Sequence, residues 1–219
     1  MPKAIALFSG GLDSSLAILT IMNQGIDVTA ITFLNHFGCN IGDKSSCSKD
    51  PFSASIKFGF KVKLAHLSDK FMEIVKNPKY GYGKNMNPCI DCRILLFRKA
   101  GDYMREPGAS FIITGEVLGE RPMSQRREAM SLIEKESGLD GLVVRPLSAA
   151  LLEPSIPEQK GWVDRAKLMD IRGRSRKPQI EMARTFGLAD YPCPAGGCLL
   201  TDPGFTRRMR DLIEHNPEL

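Results

Sequence analysis

The sequence predicts an α/β fold, a doubly wound and mostly parallel sheet with a small C-terminal helical appendage. Three observations carry this expectation. Apolar runs of strand length recur at 4–8, 28–34, 61–67, 110–114 and 142–145. A helical pattern lies between the first two, and parallel neighbours need such a crossover. The first run ends on Ser9-Gly10-Gly11 and passes straight into the helix, the strand–turn–helix of an open sheet that binds ligands at its carboxyl edge. Residues 1–145 form the expected sheet domain, and 146–219 the appendage.

Each element follows from local pattern. Ala4 to Phe8 is apolar, and Asp13 to Met22 has helical periodicity with Leu12, Leu16, Ile18 and Leu19 available for packing. That helix ends near Gly25, and Val28 to Leu34 is the second buried strand. Asn35 to Asp50 has no period and reads as a long loop; its Cys39 and Cys47, spaced C-x7-C, fit no standard site and are expected as free thiols. Phe52 to Phe58 is helical. Lys61 to Leu67 alternates as a third strand, with His66 at its end as a structural histidine. Ser68 to Lys76 is a short amphipathic helix. Gly, Asn and Pro forbid regular structure from Asn77 to Pro88, where Tyr80 and Tyr82 interleave with Lys79 and Lys84. Such tyrosines either stack on unpaired bases or pack at the loop's base. Helix is expected from Ile94 to Tyr103, from Met123, over Arg165 to Ile171, over Pro178 to Phe186 and from Asp202 to His215. Strands are expected at Ser110 to Thr114 and Leu142 to Arg145, and Pro146 to Gly161 reads as a linker or lid.

The turn after the first strand carries chemistry. Glycines let backbone N–H groups approach an anion, and the helix N-terminus adds the positive end of its dipole. Ser9, Ser14 and Ser15 add hydroxyls. Asp13 would repel a phosphate unless it holds a Mg2+ that bridges to it. A capped helix after a tight turn is the plain alternative. No Lys follows the glycines as a Walker A loop requires, and no G-x-G-x-x-G is present.

Ser9-Gly10-Gly11-Leu12-Asp13-Ser14-Ser15 resembles the SGGxDSS loop of the PP-loop ATP pyrophosphatases, whose fold is that of the adenine nucleotide alpha hydrolases. The resemblance implies cleavage of ATP between its α- and β-phosphates. It makes Phe8, Ser9, Gly10, Gly11, Asp13, Ser14 and Ser15 ATP-binding, with Thr32 and Phe33 against the adenine and Gly115 after the fourth strand. Within that group, Asn87-Pro88, Cys92 and the strand ending Thr114-Gly115 resemble the tRNA 2-thiouridylases and 4-thiouridine synthases. Those have a His where Glu116 stands here.

The cysteines are the second constellation. Cys89-Ile90-Asp91-Cys92 is a C-x2-C at a helix start, where the dipole lowers thiol pKa. It reads either as a redox dithiol or as half of a metal site, with a third sulfur from Cys193 or Cys198. The resemblance favours Cys198, after Ala195-Gly196-Gly197. Cys89, Cys92 and Cys198 would then hold a 4Fe-4S cluster with one open iron. Next in order come a persulfide pair, Cys92 and Cys198, and a zinc that Cys193 completes. The implied reaction adenylates a uridine carbonyl of tRNA and replaces its oxygen with sulfur. Asp13, Cys92 and Cys198 are catalytic, with ATP, Mg2+ and a sulfide or persulfide donor required.

Charge and composition set the bounds. Lys160 to Arg184 holds eight Lys and Arg against three Asp and Glu, an excess equal to the whole chain's net charge of +5. Arg172, Arg174, Arg176 and Lys177 are its densest part and are expected to grip tRNA phosphates. At 219 residues and 42% hydrophobic, the chain can bury a real core. No apolar run approaches 18 residues and no leader pattern opens the sequence, so a cytoplasmic protein without a membrane partner is expected, with a homodimer left open. The rival readings are a sulfurtransferase acting on a small cofactor precursor, an amide-forming relative that needs no cysteine triad, and a non-catalytic ATP-binding protein with structural zinc.

Overall fold

The computed structural model describes residues 2–35, 37, 52–106, 108–189, 191 and 198–216. Five strands form one sheet: β1 (Lys3–Leu7), β2 (Asp27–Leu34), β3 (Lys61–His66), β4 (Phe111–Thr114) and β5 (Val143–Val144). Their order is β3-β2-β1-β4-β5, and every pairing is parallel. The chain therefore winds outward one way from β1, then crosses back and winds the other way from β4. The expected α/β class and doubly wound sheet are observed.

The pleat explains why the strands read as apolar runs. Ala4, Ala6, Ala30, Phe111 and Ile113 face one core, while Ile5, Leu7, Ile31 and Ile112 face another. Both sheet faces are covered, so neither set of alternate residues meets water. The first core is closed by α1 (Leu12–Met22) together with Leu147, Val163, Leu168, Ile171 and Ala183; the last lies on α7 (Lys177–Thr185). The second is closed by α4 (Cys89–Arg105) and α5 (Arg127–Ser137). Residues on both sides of position 145 thus fill the first core.

A third, smaller core stands off the sheet. Phe71 and Val75 of α3 (Ser68–Lys76), Met86, Leu200 and Met209 of α8 (Pro203–His215) form it, and Cys92 and Cys198 pack against them. Among the described residues no helix is long and apolar enough to cross a membrane.

Three elements depart from expectation. Arg165 to Ile171 is a single 3-10 turn, Arg165–Lys167, because Leu168 and Ile171 are committed to the first core rather than to one helical face. The helix expected from Met123 starts at Arg127; before it, Gln125 turns the chain by accepting from the Arg121 N–H at 3.0 Å. The helix expected from Ile94 starts at Cys89, which places the whole C-x2-C within its first turns. Cys39, Cys47 and Cys193, with the loop and glycines around them, lie outside the described residues.

Candidate active site

The switch in winding direction falls between β1 and β4, and ligands bind open sheets at that point. The Ser9 turn leaves the end of β1 there. Gly10 adopts a left-handed φ of 74°, which favours glycine. Gly11 takes the cap position of α1 without any side-chain cap, so the N–H groups of the first turn keep their capacity for an anion. The hydroxyls preorganise the turn. Ser9 Oγ and Ser14 Oγ are 3.2 Å apart, and Ser14 and Ser15 each donate to the Gly11 carbonyl at 3.0 Å.

Gly115, at the end of β4, closes the other wall. A Cβ there would fall 2.5 Å from the Asp13 carbonyl carbon and the Ser14 nitrogen. Only a glycine lets α1 begin this close to β4. Thr32 and Phe33, expected against the adenine, have other partners. Thr32 is buried and donates to the Phe8 carbonyl at 2.9 Å, which pins the turn; Phe33 packs against Tyr103 at 6.3 Å between ring centroids. Phe8 itself is buried and receives Phe60 edge-on.

Asp13 points away from solvent. Burial pushes its carboxyl up to about 6 and Glu120 adds to the rise, while Arg176, Gln179 and Arg121 oppose it. Arg176 Nη2 reaches both Asp13 Oδ2 at 3.2 Å and Glu120 Oε1 at 3.0 Å. This corrects the expectation that Arg176 belongs to an outward basic surface. The cause is the backbone: Gly173 donates to Leu118 at 2.7 Å, and Arg172 bridges Leu118. That contact pulls the start of α7 onto the turn after β4. Arg172, Arg174 and Lys177 remain exposed, as a phosphate-gripping role requires.

The sulfur side lies beyond β4. Cys92 is close enough to Cys89 and Cys198 for both to act on its ionisation. Burial pushes its thiol up to about 12, and the neighbouring Arg93 guanidinium opposes that rise. The expected lowering by the helix dipole is therefore overturned, because desolvation outweighs it. Asn87 Nδ2 lies 3.5 Å from Cys89 Sγ. A soft, thiolate-binding metal suits this donor set, although no three His, Cys, Asp or Glu side chains among the described residues converge as ligands. Tyr82 donates to the Val75 carbonyl at 2.6 Å, and Tyr80 packs on the second core; the loop tyrosines are anchored at its base.

A buried ion network joins the two sides, and the sequence pattern did not reveal it. Glu116, where the resembled enzymes have His, is 2% exposed. It accepts from Arg93 Nε and from Arg145 Nε, each at 2.9 Å, and Arg145 also pairs with Glu134. Arg93 Nη2 reaches Thr114 Oγ1 at 3.3 Å. Glu120, Gln179, Arg93 and Arg145 were missed because each is an isolated polar residue whose partners are remote in sequence.

Comparison with known proteins follows the same lines. Residues 1–153 match the model of the family described as thiamine biosynthesis protein (ThiI). A bifunctional protein NifU/MnmA of Rubrobacter xylanophilus is 31% identical over 134 residues, which cover 57% of this chain and 27% of that one. A probable tRNA sulfurtransferase of Thermococcus kodakarensis is 27% identical over 148 residues, covering 66% and 36%. The chain thus spans about a third of these curated relatives. Among solved structures, a 4-thiouridine synthetase–RNA complex with bound ATP superposes with a TM-score of 0.58 at 20% identity, over 99% of this chain and 51% of that one. That likeness shows the fold.

Proposed function

The chain belongs to the family of the thiamine biosynthesis protein ThiI, and from that premise we propose that it is an ATP-dependent sulfurtransferase acting on a uridine of tRNA. One observation supports this reading above the rest. Arg93, the residue after Cys92, is tied to Thr114 and Glu116, and Gly115 between them presses on Asp13 and Ser14. The sulfur side and the nucleotide loop thereby share one edge of the sheet, as a reaction that activates a carbonyl and then thiolates it requires.

In this reading the uridine carbonyl oxygen attacks the α-phosphorus of ATP and pyrophosphate leaves. Sulfide then bonds to the activated carbon, and the C–O bond to AMP breaks. The Ser9–Ser15 loop receives the departing pyrophosphate on its N–H groups and hydroxyls. Asp13 would hold Mg2+, and its Oδ1, buried without a hydrogen-bond partner, fits that role. Cys89, Cys92 and Cys198 would hold the 4Fe-4S cluster; when bound it supplies an iron that presents the sulfur nucleophile. Arg93 favours the charged form of Cys92, which a ligand or a persulfide carrier must be. Arg172, Arg174 and Lys177 would hold RNA phosphates.

A thiolation assay tests this. Full-length chain, purified anaerobically, is given ATP, sulfide and a tRNA transcript, and AMP and thionucleosides are measured. tRNA-dependent AMP and a thiouridine, both lost in Cys198→Ala, are expected. AMP formation indifferent to RNA would favour the second reading, a small cofactor precursor as acceptor, to which the description of the family points. No AMP under either condition would overturn both.

A further inference from the structure

The meeting of the turn after β4 with the start of α7 assembles groups that the reaction above leaves unused. Gln179 is fully buried, and neither atom of its side-chain amide finds a hydrogen-bond partner. Asp13 Oδ1 is likewise buried and unpartnered. Gln179 is nonetheless close enough to Asp13 to favour its charged form. Glu120, with a side chain 10% exposed, faces the same spot across Arg176. A buried amide without partners costs about 1–3 kcal/mol. Two such groups side by side at a ligand-binding edge are the mark of a binding position rather than of packing.

We propose that Asp13, Glu120 and the Gln179 carbonyl form a divalent-cation site, which Arg176 keeps charge-balanced while no cation is bound. The proposal rests on the reading of the Ser9–Ser15 loop as a nucleotide site and adds two ligands to Asp13. Two carboxylates and an amide carbonyl are hard oxygen donors, the set that Mg2+ and Mn2+ prefer over softer metals. The carboxylates of Asp13 and Glu120 repel one another when both are charged. A guanidinium cannot lose its proton to relieve that repulsion, so Arg176 answers it by bridging both groups. Cation entry requires the bridge to open, which makes Arg176 a competitor for the site.

Mn2+ binding reads this directly, by electron paramagnetic resonance of the full-length chain with Mn2+ alone as the probe. Because ligand charge count sets affinity, Glu120→Gln is expected to weaken Mn2+ binding about tenfold, and Gln179→Leu by less. Arg176→Ala is expected to strengthen it about tenfold by removing the competing charge. That gain cannot arise from misfolding, which only loses affinity. Unchanged Mn2+ binding in Glu120→Gln, or no gain in Arg176→Ala, would overturn the proposal and leave Arg176 a structural tie. ATP binding by the wild type in EDTA is measured alongside. Its absence would sink the nucleotide reading of the loop, while the Mn2+ series still decides the cation site.

Discussion

The nucleotide side and the sulfur side of this molecule are built by opposite means. The nucleotide loop is a short local turn set into the main core. Its conformation comes from Gly10, from hydroxyl bonds within seven residues, and from Gly115 packed on the helix start. The sulfur side draws on α4, α3 and α8, remote in sequence, and has only a small satellite core to hold them. Glu116 and its two arginines are what connect these regions. A site made by local geometry is preorganised whatever its partners do; one gathered from distant segments depends on the ties between them.

Breaking that tie should have the largest effect. Glu116→Gln leaves Arg93 and Arg145 near a neutral partner, and removing one member of a buried ion pair costs about 3–5 kcal/mol. Urea unfolding near neutral pH measures it. The pH dependence carries a second signature. Burial raises the Glu116 carboxyl, but Arg93 and Arg145 outweigh it and hold the group below its usual 4.5. Its contribution is therefore complete above the unfolded value and is lost as pH falls through the lowered folded value. Glu116→Gln should be flatter across that acid range. A variant as stable as the wild type, with the same acid limb, would mean that the network is not what joins the two sides.

Gly115→Ala probes one side alone. The added methyl must displace the start of α1, and overpacking of this kind costs about 1–3 kcal/mol. ATP affinity should fall sharply. The rate at which iodoacetamide alkylates Cys92 should stay within about twofold of wild type, since distant sites behave independently. A large change in Cys92 reactivity would show that the two regions are one cooperative unit.

The same contrast explains what could be read from the sequence. The nucleotide loop was legible because its chemistry is encoded in consecutive residues, and the strands because both sheet faces are buried. Cys92 and Cys198 were paired by resemblance, and the structure does bring them to one small core. The high pKa of Cys92 was not legible: the helix start is visible in sequence, the desolvation around it is not. Arg176 was misplaced for a related reason. A run of cations reads as surface, and nothing local reveals that the Leu118–Gly173 contact turns one of them inward.

Thr32 offers the finest test of how the loop is held. Resemblance sets it against the adenine, whereas its hydroxyl donates to the Phe8 carbonyl from a position 7% exposed. Thr32→Val keeps the shape and removes one buried hydrogen bond, a loss of about 1 kcal/mol. If Thr32 pins the turn, the variant should bind ATP and GTP more weakly by a similar small factor, with a matching drop in melting temperature. If the side chain reads the base, preference between the two nucleotides should shift while stability holds. The first outcome would make the local side of the molecule self-sufficient, its geometry fixed by β1 and β2 before any ligand arrives; the second would extend the nucleotide site along β2.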